Sequence, residues 1–200
     1  MTLFARLAAF LAVGRPQAPS APPALPPGAI PVVAVGEAPQ APPAAPLPMA
    51  DRAAIPTAAV DIVGRWEGFR ADAYLCPAKV WTIGYGTTRW GDRRPVQQGD
   101  GPVTEAEARK LLMHDLHAAA MAVDGLVTVE LTEHQRAALI SFVYNVGQGA
   151  FARSTMLRHL NAGRMDSAAG EFTRWINAGG VQVQGLVRRR AEEATLFKGR

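Results

Sequence analysis

Residues 66–87 read WEGFRADAYLCPAKVWTIGYGT. Here an apolar, helix-like run ends on an acid and gives way to a short aromatic hairpin. Upstream, Thr57 follows Pro56 and is placed to cap a helix. Ala59, Ile62, Trp66 and Phe69 form one stripe at helical spacing, and Val60, Val63 and Glu67 form the adjacent one. The acid therefore lies beside the buried face. A carboxyl group half-withdrawn from water has its charged form penalised and stays protonated closer to neutral pH, as a general acid must. A solvated glutamate at a helix end is the other reading of this run taken alone. Downstream, Val80, Thr82 and Gly84 alternate with Trp81, Ile83 and Tyr85 at period two, which marks a strand. Pro77 and Ala78 supply a turn from an incoming strand ending near Cys76, so Cys76 and Thr82 stand close across the hairpin.

Beyond the hairpin, TTRWGDRRPVQQGDGP at 87–102 shows no clear period and reads as loop and edge strand. Helix signals follow. Thr104 with Glu107 forms a capping box before a helix to about Val123, and Thr132 with Gln135 forms another before a helix to about Asn145, stopped by Gly147. Shorter helices are expected near Ser154–Asn161 and Met165–Trp175, with a last one from about Gly185 to Phe197 after a turn at Asn177–Gly180. The fold class is α+β, mainly α: a small β-hairpin lobe, entered by one helix, joined to a helical lobe, with a cleft between them suited to a polymer.

Three segments follow from composition. MTLFARLAAFLAVG, residues 1–14, is a short apolar leader with one Arg, readable as a minimal signal peptide or as a weakly amphipathic helix, and far short of the ~20 residues of a membrane span. Residues 15–56 hold thirteen of the sixteen prolines and no aromatic residue. They form a Pro/Ala-rich disordered linker, extended where polyproline II prevails. Residues 57–200 carry the apolar content of one core. Over that part 18 basic side chains face 15 acidic ones. This mild excess suits an anionic polymer but constrains encounter more than function. The single cysteine excludes an intramolecular disulfide framework.

From about residue 55 to the C-terminus the chain resembles the phage-type lysozymes, the endolysins of glycoside hydrolase family 24. The first anchor is Glu67, eight residues, Cys76, five residues, Thr82, where the family pattern is Glu, eight residues, Asp or Cys, five residues, Thr in the same aromatic and glycine context. LTEHQRAALISFVYNVGQGAF at 131–151, STMLRHLNAG at 154–163 and GLVRRRAEEATLF at 185–197 continue it in the same order. The resemblance implies a lysozyme-like two-lobed fold and a muramidase, hydrolysing the β-1,4 bond between N-acetylmuramic acid and N-acetylglucosamine in peptidoglycan. It implies Glu67, Cys76 and Thr82 as catalytic residues: Glu67 as proton donor, Thr82 holding a water through its hydroxyl, and Cys76 at the second position. The commoner residue there is Asp, ionised without help. A free thiol has pKa ~8.5 and is mostly neutral at pH 7. Cys76 is thus either tuned by a basic neighbour or a positioner of water, and the resemblance favours inversion by direct water attack. The alternative is a catalytically weakened, lysozyme-like peptidoglycan-binding protein.

The remaining candidates each have a plain reading beside the functional one. Trp81 and Tyr85, with Trp90, stack on sugar rings or pack the small lobe, and Asn145 binds substrate or merely ends a helix at Gly147. Arg188, Arg189 and Arg190 point about 100° apart on a helix, too thin a footprint for nucleic acid; one of them is expected to pair with an acid near the cleft, and the resemblance suggests Glu67 as that acid. His114 and His117 have no third ligand, so neither a metal nor a cofactor is expected. The expected partners are peptidoglycan and a holin for export, with no nucleic acid and no stable membrane span. The protein is expected to be a monomer, made in the cytoplasm, exported through a holin or the N-terminal signal, and acting in the periplasm and cell wall.

Overall fold

A computed structural model of the chain describes residues 54–76 and 78–199. The leader, nearly all of the Pro/Ala tract, and Pro77 of the expected turn lie outside the described residues. Helix α1 spans Thr57–Glu67. Its start differs from expectation: Pro56 is the N-cap, with extended backbone and no side-chain cap, and Thr57 is already helical. The Pro56 carbonyl accepts from Ala59 N at 2.9 Å. The helix stops at Gly68, whose φ of 73° is reached cheaply only without a Cβ. Phe69 therefore falls off the helical stripe. It is 40% exposed and lies against Tyr85, ring centroids 5.6 Å apart. Ala59, Val60, Ile62, Val63 and Glu67 are buried, so the acid sits on the packed face itself.

Strands β1 (Arg70–Leu75) and β2 (Trp81–Gly84) pair antiparallel, with Tyr74 opposite Thr82 and Leu75 opposite Trp81. Pairing runs on to Cys76 N and Val80 O at 3.0 Å, and Lys79 N closes the turn onto Cys76 O at 2.7 Å. The expected edge strand shrinks to one isolated bridge, Arg89 with Pro95. Asp100 organises that loop instead, accepting from Trp90 Nε1 and Gln97 N, both at 2.9 Å, and from Arg94 NH1 at 3.1 Å.

Both capping boxes form as expected. Thr104 and Glu107 exchange hydrogen bonds at the start of α2 (Glu105–Leu126), and Thr132 and Gln135 do so at α3 (Glu133–Val146). Helix α3 is buried without a break from Arg136 to Asn145, because α1, α2 and α7 pack around it. Its Phe142 meets the rings of Phe172 and Trp175 edge-on, both at 5.3 Å. A short α4 (Gln148–Ala152) follows the Gly147 stop, then α5 (Thr155–Asn161) and α6 (Met165–Glu171). The single helix expected to reach Trp175 ends earlier, tightening into a 3-10 turn at Phe172–Arg174 that delivers Phe172 and Trp175 to the core. The expected turn at 177–180 is a two-residue-per-strand hairpin, β3 (Asn177–Ala178) with β4 (Val181–Gln182). Helix α7 (Gln184–Phe197) closes the chain's described part. The class is α+β, mainly α. Among the described residues no helix is long and apolar enough to cross a membrane.

Candidate active site

The last three residues of α1 are each tied to α7. Arg65 and Trp66 hold Glu192: the Arg65 guanidinium pairs with its Oε1, and Trp66 Nε1 donates to Oε2 at 2.7 Å. Glu67 Oε1 meets Arg189 NH1 at 3.3 Å, with both side chains almost fully buried. Of the three consecutive arginines, helical rotation turns Arg188 outward and buries Arg189 and Arg190. The partner of the acid is Arg189.

Glu67 Oε2 faces the other way. It lies 3.8 Å from where a Cβ would stand on Gly86, so the backbone leaving the hairpin passes beside the acid. The hairpin brings Tyr74, Cys76 and Thr82 onto one face, since residues two apart on a strand point the same way and Tyr74 pairs with Thr82. Tyr74 links the two halves of the site. Its phenol pKa is raised, first by burial, with Arg70 opposing and the electrostatic influence of Cys76 and Glu67 adding to the rise. The Arg70 guanidinium stands over the Tyr74 ring at 4.5 Å. At neutral pH the Tyr74 hydroxyl is therefore a proton-bearing donor within electrostatic reach of both Glu67 and Cys76.

Glu67, Cys76 and Thr82 are 7%, 6% and 0% exposed. In so dry a place charges and dipoles act more strongly than in water. Thr82 Oγ1 donates to Val80 O at 3.1 Å, which spends its proton and leaves its oxygen lone pairs to accept. Cys76 is a free thiol.

The other expected contacts divide. Trp81 is half-buried, with an edge on the core. Tyr85 offers a sugar no free ring face: it is buried under Phe69 and Gly64, and its hydroxyl donates to Glu105 at 2.8 Å. Trp90 is engaged by Asp100 and by Arg94, 5.2 Å from its ring. Asn145 is buried on α3; its Oδ1 accepts from Arg190 NH2 at 2.8 Å, and its Nδ2 has no hydrogen-bond partner among the described residues. His114 is largely exposed beside Asp115. A cavity of about 300 Å³ between α1 and α7, lined by Asp61, Arg65, Glu192 and Thr195 among others, contains none of the three candidate catalytic residues.

Sequence reading missed a second layer. Glu193 is completely buried and lies 3.2 Å from Arg189 Nε and 3.0 Å from Arg190 Nε. Its Oε1 also accepts from Ser141 Oγ at 2.7 Å. The signal was present in RRRAEE as i,i+3 and i,i+4 spacing of opposite charges. What the pattern could not show is that this face turns inward.

Comparison with known proteins bears on the fold that holds these residues. Residues 64–193 match the model of the phage lysozyme family, "Phage lysozyme". An endolysin of Bacillus phage B103 is 42% identical over 146 residues, 72% of this chain and 53% of that protein. The chain thus spans about half the length of this relative. An endolysin of Acyrthosiphon pisum secondary endosymbiont phage 1 is 35% identical over 68% of this chain and 92% of its own length. Among solved structures, the muramidase domain of SpmX from Asticaccaulis excentricus superposes with a TM-score of 0.63 at 37% identity, covering 72% of this chain and 96% of that one. A fold match and a sequence match that run together from α1 to α7 have one common explanation: the chain belongs to the phage lysozyme family.

Proposed function

We propose that this protein is an endolysin with muramidase activity, hydrolysing the β-1,4 bond between N-acetylmuramic acid and N-acetylglucosamine and so lysing the bacterial cell wall. The observation that carries the reading is the buried Glu67, held from one side by Arg189 and facing a hairpin that presents Tyr74, Cys76 and Thr82. Breaking a glycosidic bond requires a proton on the leaving oxygen and a nucleophile at the anomeric carbon. Glu67 gives its proton to the leaving oxygen. A water that donates to Thr82 Oγ1 and Cys76 Sγ adds its hydroxyl to the anomeric carbon and releases its other proton to solvent, from which Glu67 is reprotonated. Asn145, buried on α3 with its Oδ1 held by Arg190, supports the layer behind the acid, and a substrate contact would need its buried Nδ2 to be uncovered. Trp81, half-buried against the core on β2, is the aromatic side chain offered to a sugar.

Residue 76 decides between catalysis and binding alone. Cys76→Asp is expected to retain release of reducing ends from purified peptidoglycan and turbidity loss of permeabilised cells, whereas Cys76→Ser is expected to lose most of both. If the wild-type chain binds peptidoglycan and releases no reducing ends, the protein is a wall-binding relative instead. Proton NMR of the first-formed anomer reports whether water attacks directly or a thioglycosyl intermediate forms. Peptidoglycan as the partner places the protein's work in the periplasm or wall, reached through a holin or the N-terminal leader. N-terminal sequencing of periplasmic protein separates these routes, since only cleavage near Gly14 fits the leader.

A further inference from the structure

Arg189 does not serve Glu67 alone. The guanidinium is shared between two buried carboxylates, Glu67 at 3.3 Å from NH1 and Glu193 at 3.2 Å from Nε. Glu193 has no exposed surface. Such a charge is expensive to bury and persists where it is compensated. Its compensation is specific: Arg189 on one side, Arg190 at 3.0 Å on the other, and the Ser141 hydroxyl at 2.7 Å from α3. The Arg190 Nε contact is one of charge, because its proton does not point along it, while Arg190 NH2 donates a long hydrogen bond of 3.4 Å to Glu193 Oε1. Arg190 is anchored in turn over the Phe142 ring at 5.0 Å and on Asn145. Burial pulls the Arg190 pKa down to about 10, with Glu193 opposing and Arg189 adding to the fall. Arg190 therefore remains a cation at neutral pH.

From this arrangement we propose that Glu193 is a positioning residue, which aims Arg189 at Glu67 and draws off part of its charge so that Glu67 can carry a proton at working pH. The inference rests on the muramidase reading of Glu67 as the acid. Two requirements conflict at Glu67. An arginine is needed to hold the carboxyl in place, yet a lone buried guanidinium at this distance would favour the ionised form, which cannot donate. A second carboxylate on the far side of the same guanidinium relieves the conflict. With Glu67 protonated the buried set carries one net positive charge, and with Glu67 ionised it is neutral. Without Glu193 the protonated state would carry two, and ionisation would be favoured further.

The other charges around the pair are accounted for. On α1, Arg65 is engaged by Glu192 and Asp61 by Arg109. The hairpin presents Tyr74, Cys76 and, over the Tyr74 ring, Arg70. Helix α3 contributes the neutral Ser141, Tyr144 and Asn145. From the elements packed on the other side of α7, Glu171 and Arg174 pair with each other.

The experiment is the pH dependence of kcat/KM on solubilised peptidoglycan for the full chain, together with a carbon-13 NMR titration of the Glu67 carboxyl assigned with Glu67→Gln. Glu193→Gln is expected to move the basic limb, and the Glu67 titration, down by about one pH unit or more. Glu193→Asp, which keeps the charge, is expected to restore most of the wild-type limb. Should Glu193→Gln fold poorly, the charge-balanced pair Glu193→Gln with Arg190→Met addresses the same point, and its limb is expected to lie between those of the single variant and the wild type. An unmoved Glu67 titration in folded Glu193→Gln overturns the proposal, as does a uniform loss of activity at every pH with the limb in place. A moved titration in a chain that cleaves no glycan would uphold this role and defeat the muramidase reading instead.

Discussion

Arg189→Met removes the charge that ties α1 to α7 and keeps a side chain of similar length, so its cost isolates the electrostatic contribution. Above the pH at which Glu67 loses its proton, two unit charges 3.3 Å apart attract by about 5 kcal/mol at an effective dielectric of ~20, and desolvation cancels much of that gain in the intact pair. Removing one partner is different, because it strands a charge that has already lost its water, and typically costs ~3–5 kcal/mol. Glu193 keeps Arg190 at 3.0 Å, so the loss falls on Glu67 and the lower figure, about 3 kcal/mol, applies. For a domain of this size each kcal/mol is worth ~2–4 °C. The midpoint should therefore fall by ~6–12 °C. Glu67→Gln should cost less than Arg189→Met, since Arg189 then still has Glu193. Urea denaturation of both single variants and the double variant at unchanged m gives the coupling, expected at ~1.5–3 kcal/mol. If the two losses add to within ~0.5 kcal/mol, or if Arg189→Met costs under ~1 kcal/mol, the buried pair does not hold the acid and the site's construction has been misread.

Three further outcomes test the surrounding scaffold. The Asp100 pKa is lowered, first by the Gln97 backbone N–H and next by Trp90 Nε1, with Arg94 helping and slight burial opposing. A depressed folded-state pKa gives stability that is present above the unfolded value near 3.8 and is lost as pH falls through the lower folded value. The Trp90 indole N–H resonance should therefore shift below about that pH, and Asp100→Asn should abolish the shift. Gly84 has φ +63° and a Cβ there would lie 3.0 Å from Ala108 Cβ, so Gly84→Ala should destabilise by ~1–3 kcal/mol in a thermal melt. Gly125 meets nothing within 4 Å, and Gly125→Ala should instead be neutral or stabilise by up to ~1 kcal/mol.

Local signals were legible where chemistry is local. The capping boxes at Thr104 and Thr132, the Gly147 stop and the period-two strand at 81–84 all stand where the residues place them, because the caps and the stop depend on contacts within four residues and the strand on the neighbouring arm of its own hairpin. Boundaries set by tertiary packing were not legible. The 3-10 turn at 172–174 exists because Phe172 and Trp175 must both reach Phe142, and no window of sequence contains that requirement. The site divides in the same way. Spacing brought Cys76 and Thr82 to one hairpin, but Tyr85 reads alike whether its ring meets a sugar or lies under Phe69. Only the fold shows its hydroxyl committed to Glu105. RRRAEE gave three arginines and two acids without their azimuth. Packing against α3 made Arg188 a surface residue and turned Glu193 into the most deeply buried carboxylate beside the acid.

That division has a consequence for how the site responds to change. Cys76 and Thr82 belong to a two-stranded lobe, whereas Arg189, Glu193, Ser141 and Asn145 belong to the α3–α7 interface, where the core is deepest. Glu67 stands between, at the last residue of the helix that leads from one to the other. The position of the acid is therefore governed by helical packing some 120 residues away in sequence, and the position of the opposing thiol by a hairpin turn. Substitutions that loosen α3 against α7 should alter protonation of Glu67 without displacing Cys76, and substitutions in the hairpin turn should do the reverse. Ser141→Ala is the cleanest case of the first kind, because it removes one hydrogen bond of 2.7 Å to Glu193 and creates almost no cavity. A lone hydrogen bond to a charged group is worth about 1.5–3 kcal/mol. Its loss leaves Glu193 under-compensated and drawn more strongly to Arg189, so less of that cation's field reaches Glu67. The acid's proton affinity should then rise, in the direction opposite to the Glu193→Gln variant.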